Sequence, residues 1–340
     1  MREQSPGLHP RRLATLMHAA IERCRLDLSG RVILTEAASG AYVVTPVLAA
    51  MAGARRVFAL ARSSRYGTVE EVTAQTLHLA SLVGVKDRLE IATEKSPEVV
   101  SQADIITNSG HVRPIDAAMV TWMKPTAIIS LMYEAWEFRP ADVDLPECRR
   151  RGIPVVATNE RHPNVDVFSF LGVMAIKLLV DACVSVYGSR ILLLCDNPFA
   201  PFIERGLRGA GATVDTFPAL SAVKKSSIHD AILVALKPRA ELVLSADDAS
   251  IIAERWPGVV VAQFWGDIDR IALAAADVPV SPTHAPKAGH MGILPSGVGP
   301  EPVVRLQVGG LKAAEVIFWY PRESSQEYFE LLHTTGLGGH

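Results

Sequence analysis

Cysteine is scarce in this chain: four in 340 residues (Cys24, Cys148, Cys183 and Cys195), far apart, with no CxxC pair and no metal-like spacing. That excludes a disulfide scaffold and fits reduced thiols in a cytoplasmic protein. Neither sign of charge is in excess, with 34 Lys plus Arg against 36 Asp plus Glu and a formal net charge of -2. Such balance argues against a nucleic-acid footprint or a polybasic membrane surface. Long uncharged apolar runs are missing too. The most apolar candidate, Phe168 to Val186, is interrupted by Lys177 and Asp181, which predicts a buried helix and no membrane span. The N-terminal stretch carries charges early but no long apolar core, so it reads as an amphipathic helix and not a signal peptide. GxSxG, P-loop and HExxH motifs are absent, and the histidines show no ligand spacing, so no metal site is expected. No internal repeat stands out.

What is present is apolar residues at 49%, ample for two cores, in a length that favours two domains. RVILTEA, RRVFALA, RLEIAT, ADIITNSG, TAIISLM and GIPVVAT are short, bounded apolar runs separated by helical stretches. That alternation predicts a parallel sheet covered on both faces, over about Leu28 to Thr158. The same grammar returns after residue 188 with RILLLCD, TVDTF, AILVAL, VVVAQFW and VPVSPTH, five strand-like runs read as a second unit. The expected fold is therefore α/β, two doubly wound Rossmann-like domains linked by connecting helices. Its parts are a first domain over 1–160, a connecting helix over 161–187, a second domain over 188–300, and a return helix and tail over 301–340. The return helix is expected despite Gly309 and Gly310.

From Val143 onward, VDLPECRRRGIPVVAT followed by a long helix and a new strand resembles the D-isomer-specific 2-hydroxyacid dehydrogenases, of the formate/glycerate dehydrogenase-like kind. The resemblance covers roughly Val143 to Ile317. It implies a substrate-type first domain, a nucleotide-type second domain, NAD or NADP as cofactor, a small-molecule substrate in the interdomain cleft and a homodimer. VPVSPTHAPKAGHMG is similar to the segment that carries the family's acid/base histidine, which places that role on His284. Asp269 is its candidate acidic partner, and His290, in a Gly- and Pro-rich loop, is the alternative acid/base. Where the family has a substrate-orienting arginine this chain has Trp265, which cannot make bidentate bonds to a carboxylate.

The cofactor turn departs further. A dinucleotide fold needs glycines after its first strand so that the backbone can approach the pyrophosphate. Here Asp196, Asn197, Pro198 and Phe199 occupy that position, with Lys237 after a later strand as a further cofactor contact. Proline removes amide donors and Asp196 sets a negative charge where phosphate would lie. The first domain offers a competing turn at Thr35 to Gly40, with Ser39 and Gly40 at its tip. The next strand ends in Arg62, Ser63, Ser64 and Arg65, suited to a phosphate such as the 2′-phosphate of NADP. Substrate contacts are expected from Asn108, Ser109, Gly110 and His111 after one strand, and from Tyr133, Glu134 and Trp136 after another. The carboxylates and aromatics of the latter loop suit a cationic or hydroxylated, ring-bearing ligand. Glu160, Arg161 and His162 follow a third strand.

These features converge on a cytoplasmic NAD(P)-dependent oxidoreductase acting on a small hydroxy or oxo substrate. Two alternatives stay open: a non-redox ligand-binding or biosynthetic protein on a degenerate dehydrogenase scaffold, and a nucleoside-cofactor, methyltransferase-like enzyme.

Overall fold

The computed structural model describes residues 5–224, 227–319 and 329–333. Along the chain run α1 (Pro10–Cys24), β1 (Val32–Glu36), α2 (Val44–Met51), β2 (Arg56–Leu60), α3 (Val69–Leu82), β3 (Leu89–Ala92), α4 (Pro97–Val100), β4 (Ile105–Thr107), α5 (Ala117–Trp122), β5 (Ile128–Ser130), α6 (Leu145–Arg151) and β6 (Val155–Thr158). Then follow α7 (Leu171–Asp181), β7 (Arg190–Leu194), α8 (Ala200–Gly209), β8 (Thr213–Phe217), β9 (Ala231–Ala235), α9 (Ala246–Arg255), β10 (Val260–Trp265), α10 (Arg270–Ala275), β11 (Val280–Ser281), α11 (Glu301–Trp319) and β12 (Phe329–His333). The chain divides into two compact units, one of Met1–Val167 with Gly299–His340 and one of Phe168–Val298.

The first unit holds a seven-stranded sheet in the order β12-β6-β5-β4-β1-β2-β3. The pairs are parallel except that β12 runs antiparallel to β6. Strands such as Val32–Glu36 and Val155–Thr158 are buried along nearly their whole length, as parallel strands covered on both faces must be. Helix starts follow local chemistry. Thr68 and Glu71 form a capping box before α3, and Asp144 caps α6, which ends at Gly152 in the left-handed region.

The return helix α11 is buried from Pro302 to Ile317, Arg305 excepted, against α1, α2, β5 and β6 of the first unit. Gly309 and Gly310 make this possible: a Cβ on Gly309 would stand 2.8 Å from Val165 Cγ1, and one on Gly310 2.5 Å from the Met132 sulfur. Ser130 Oγ donates to the Gly310 carbonyl at 2.6 Å, and Thr45 Oγ1 to Gln307 Oε1 at 2.8 Å. The helix thus tolerates two poor helix formers because backbone contact with the sheet edge requires them. Tail residues 320–328 and 334–340 lie outside the described residues.

The second unit is a five-stranded parallel sheet in the order β11-β10-β9-β7-β8. Each of the five runs expected forms one of these strands. The helix expected from Phe168 is shorter: Phe168–Phe170 form a 3₁₀ turn and α7 ends at Asp181, before Cys183 at φ +59°. Among the described residues no helix is long and apolar enough to cross a membrane.

Candidate functional site

In open parallel sheets ligands bind beyond the carboxyl ends of the strands, where the strand order reverses. Each unit has such an edge, and the two differ in what they offer.

In the second unit the turn after β7 is closed. From Pro198 to Ile203 two residues are prolines without an amide hydrogen, and the other four donate within the turn. Phe199 N–H bonds Asn197 Oδ1 at 3.0 Å, Ala200 N–H the Asn197 carbonyl at 3.4 Å, and Phe202 and Ile203 the Phe199 carbonyl at 3.1 and 3.0 Å. Asn197 Nδ2 donates to the Ala235 carbonyl at 2.7 Å, stitching β7 to β9. The Asp196 carboxylate accepts Lys237 N–H at 2.8 Å and pairs with Arg239 at 2.6 Å. Those bonds hold its carboxyl below the usual range against the opposing effect of burial. Asp196, Asn197, Pro198 and Phe199 therefore brace the turn, and they do not fit a pyrophosphate, which needs open amides at the helix start. Lys237 contributes its backbone to this brace and leaves its side chain exposed.

The histidine pairing expected in this unit also fails to form. Asp269 spends its carboxylate capping α10, accepting Ala272 N–H at 2.9 Å. His284 is exposed and has no hydrogen-bond or ion-pair partner among the described residues. His290 is partly buried and its amide donates to the Lys287 carbonyl at 2.9 Å. Trp265 Nε1 donates to the Gly289 carbonyl at 3.2 Å, so the indole holds this loop.

The first unit is arranged otherwise. Its strand order reverses between β1 and β4, and Glu36 ends β1 at that point. Glu36 Oε2 accepts His111 N–H at 3.2 Å. Gly110, at φ +37°, lies so close that a Cβ there would coincide with the carboxylate. Burial pushes the Glu36 carboxyl above its ordinary range, against the His111 amide and the Arg113 charge. Burial, then the charge of Arg62, pushes the His111 imidazole below its ordinary value. Beneath them Thr107 Oγ1 donates to Thr35 Oγ1 at 2.7 Å and meets Ser109 Oγ at 2.5 Å, a buried hydroxyl cluster joining the two strands.

Above this floor the turn after β1 is open. The amides of Ala38, Ser39 and Gly40 have no acceptor among the described residues, and Gly40, at φ +63°, faces open space. At the end of β2, Ser63 and Ser64 accept the Val69 and Tyr66 amides at 3.2 and 3.1 Å, Ser39 Oγ donates to the Tyr66 carbonyl at 3.0 Å, and Arg65 stacks on Tyr66. Arg62 alone is exposed without a hydrogen-bond or ion-pair partner among the described residues. Its charge also acts on Lys95, whose ammonium donates to the Pro114 carbonyl at 2.7 Å.

The remaining expected substrate contacts form a braced neighbourhood. Asn108 Nδ2 donates to the Tyr133 hydroxyl at 2.7 Å, which donates to Asp142 at 2.9 Å; the Asn108 Oδ1 is buried without a hydrogen-bond partner. Glu134 is buried, accepting Trp136 Nε1 and, at 3.1 Å, Glu160 N–H, with Arg161 Nε at 3.6 Å. The free carboxylate expected of Glu134 is thus committed to joining the loops after β5 and β6. Burial pushes the neighbouring Glu137 carboxyl up to about 7 and Glu160 well above its ordinary range. Among the described residues no group of three or more His, Cys, Asp or Glu is placed to hold a metal ion.

Sequence reasoning singled out His111 and Arg62 but not Glu36. Only the pairing of β1 with β4 brings Glu36 beside Gly110, and nothing in TEAASG marks it.

No protein-family model matches the chain, and no curated protein matches it. Solved structures do. An NAD-dependent formate dehydrogenase from Staphylococcus aureus, in complex with NAD, aligns with a TM-score of 0.53 at 13% identity over 90% of this chain and 99% of that one. A dipicolinate synthase from Bacillus subtilis aligns with a TM-score of 0.55 at 10% identity over 88% and 100%. Another dipicolinate synthase, from Bacillus halodurans, aligns with a TM-score of 0.53 at 10% identity over 84% and 98%. At these identities the likeness is one of fold, and the formate dehydrogenase-like fold expected from the sequence is the fold found.

Proposed function

We propose that the chain is an NAD(P)-dependent oxidoreductase acting on a small hydroxy or oxo compound, with the nucleotide phosphates received by the first unit. The observation that carries this is the contrast between the two strand-to-helix turns. One is closed and acidic; the other presents the open amides of Ala38 to Gly40 after β1, and the exposed guanidinium of Arg62 follows the adjacent strand β2. A phosphate there gains charge-assisted hydrogen bonds that no carboxylate of the described residues already takes. The fold shared with a dehydrogenase solved with NAD supports the cofactor class.

A nicotinamide, when bound, supplies or accepts a hydride at a carbonyl or carbinol carbon. The chain's own part is the proton. Burial raises the Glu36 carboxyl and lowers the His111 imidazole, bringing two unlike groups toward a common proton affinity at one strand edge. His111 is neutral over most of the physiological range and accepts a proton; Glu36 holds one to higher pH than an ordinary glutamate. Asn108 and Ser109 line the same strand end and position the substrate.

Turnover with NADPH and a panel of small 2-oxo acids and aldehydes tests this. His111→Asn is expected to lose about 10²- to 10⁴-fold in kcat with cofactor binding little changed. In the parent, the acid limb of the kcat/KM profile is expected below the ordinary histidine range, because the imidazole is pushed down. Full activity in His111→Asn contradicts the assignment. The closed turn before α8 favours one second reading, a non-redox protein on a dehydrogenase scaffold, for which no nicotinamide binds at all.

A further inference from the structure

We propose that Tyr66 is the stacking face for the base of the nucleotide, its backbone tied to the open turn after β1. The inference rests on the reading of the first unit as the nucleotide site. It adds the group that tells a nucleotide from any other phosphate ester.

Arg65 and Tyr66 are the two central residues of a tight turn between β2 and α3. Ser64 N–H bonds the Gly67 carbonyl at 2.9 Å and Gly67 N–H the Ser64 carbonyl at 3.2 Å, which closes the turn. The Tyr66 backbone is fixed on both sides. Its N–H donates to Ser64 Oγ at 3.1 Å, and its carbonyl accepts Ser39 Oγ at 3.0 Å. Ser39 belongs to the turn whose amides are open, so this bond holds Tyr66 against that turn across 27 residues of sequence. The capping box of Thr68 and Glu71 follows at once and anchors the turn to the start of α3.

The side chain stands outside this braced backbone. Tyr66 is 62% exposed, and no aromatic ring of the described residues packs on it. Arg65 lies over one face, its guanidinium carbon 4.7 Å from the ring centre, and donates to the Tyr66 hydroxyl. The cation orients the ring, and the high exposure leaves the opposite face to solvent. A ring on a fixed backbone has given up part of its freedom before any ligand arrives, as a stacking platform requires. A base laid on that face removes apolar area from water and gains an aromatic contact that a bare phosphate cannot make. Binding is thus divided between the two loops. Phosphates go to the amides of Ala38 to Gly40 and to Arg62, the base goes to Tyr66, and the adenosine half alone suffices to anchor the cofactor.

ADP-ribose, which lacks the nicotinamide, and inorganic pyrophosphate, which lacks the base, test the proposal on the full chain by calorimetric titration and thermal stabilisation. ADP-ribose is expected to bind the parent. Tyr66→Ser is expected to weaken it about tenfold or more while leaving pyrophosphate unchanged. Tyr66→Trp is expected to keep the affinity, with the fluorescence of the new indole quenched by ADP-ribose and not by pyrophosphate. Both variants change an exposed side chain and are expected to fold as the parent. Four results would overturn the role of Tyr66 while the nucleotide reading stands: an unchanged ADP-ribose affinity in Tyr66→Ser, an equal loss for pyrophosphate, no quenching in Tyr66→Trp, or a parent that binds NADPH but not ADP-ribose. A parent that binds neither ADP-ribose nor NADPH would overturn both.

Discussion

A carboxyl that burial keeps protonated alters how stability depends on pH, and Glu137 is such a group. Its pKa rises from 4.5 to about 7, mainly by desolvation and further by the Glu134 charge, against the Arg139 charge and the Glu134 backbone. The folded state holds this proton more tightly than the unfolded chain. The stability it contributes is therefore whole below about pH 4.5 and is lost as pH climbs through about 7. Glu137→Gln cannot ionise, so urea denaturation is expected to show a flatter stability profile than the parent's above the ordinary glutamate range. At pH values above 7 the variant should be the more stable by on the order of 1–3 kcal/mol. An unchanged profile would mean that Glu137 ionises freely. Residues of this kind are half legible in sequence. Glu134, Glu137 and Glu160 stand out as acids after apolar strands, yet only the pairing of β5 with β6 shows that they share one buried site. Asp269 is the opposite case: its place at the Gly-x-x-Asp turn, where the resemblance sets an acidic partner, points to catalysis, while its hydrogen bond to Ala272 N–H makes it a helix cap.

Period and punctuation make most elements readable. β1 to β6 and β7 to β11 are short apolar runs bounded by polar or glycine residues, and each forms a strand near the place expected. The failures have local causes. β12 is a short edge strand near the C-terminus whose pairing with β6 depends on distant chain, so neither alternation nor turn residues announce it. The glycines of α7 and α8 likewise gain meaning only in three dimensions. A methyl on Gly172 would stand 2.7 Å from the Gly206 Cα, so these helices cross with backbone nearly touching backbone. Gly172→Ala should therefore destabilise the second unit by about 1–3 kcal/mol, exceeding the ~1 kcal/mol that alanine adds to helix propensity. Urea unfolding followed by circular dichroism measures it, and a stabilised variant would show that the crossing can relax.

At the scale of the whole molecule, two α/β sheets share a grammar but not a chemistry. The second unit has the strand, turn and helix of a nucleotide site with its amides occupied, and the first has open amides and an unbalanced arginine. The fold class was legible because alternating apolar strands and helices leave few other architectures. Which turn is open was not, since it depends on where each amide finds its acceptor. The most direct test is a titration of the purified chain with NADPH and NADH, followed by nicotinamide fluorescence and thermal stabilisation. The account predicts binding of both, tighter for NADPH, with Arg62→Gln weakening NADPH about ten- to a hundredfold and removing the preference. Binding of neither nucleotide, or a preference for NADPH that survives in Arg62→Gln, would contradict it.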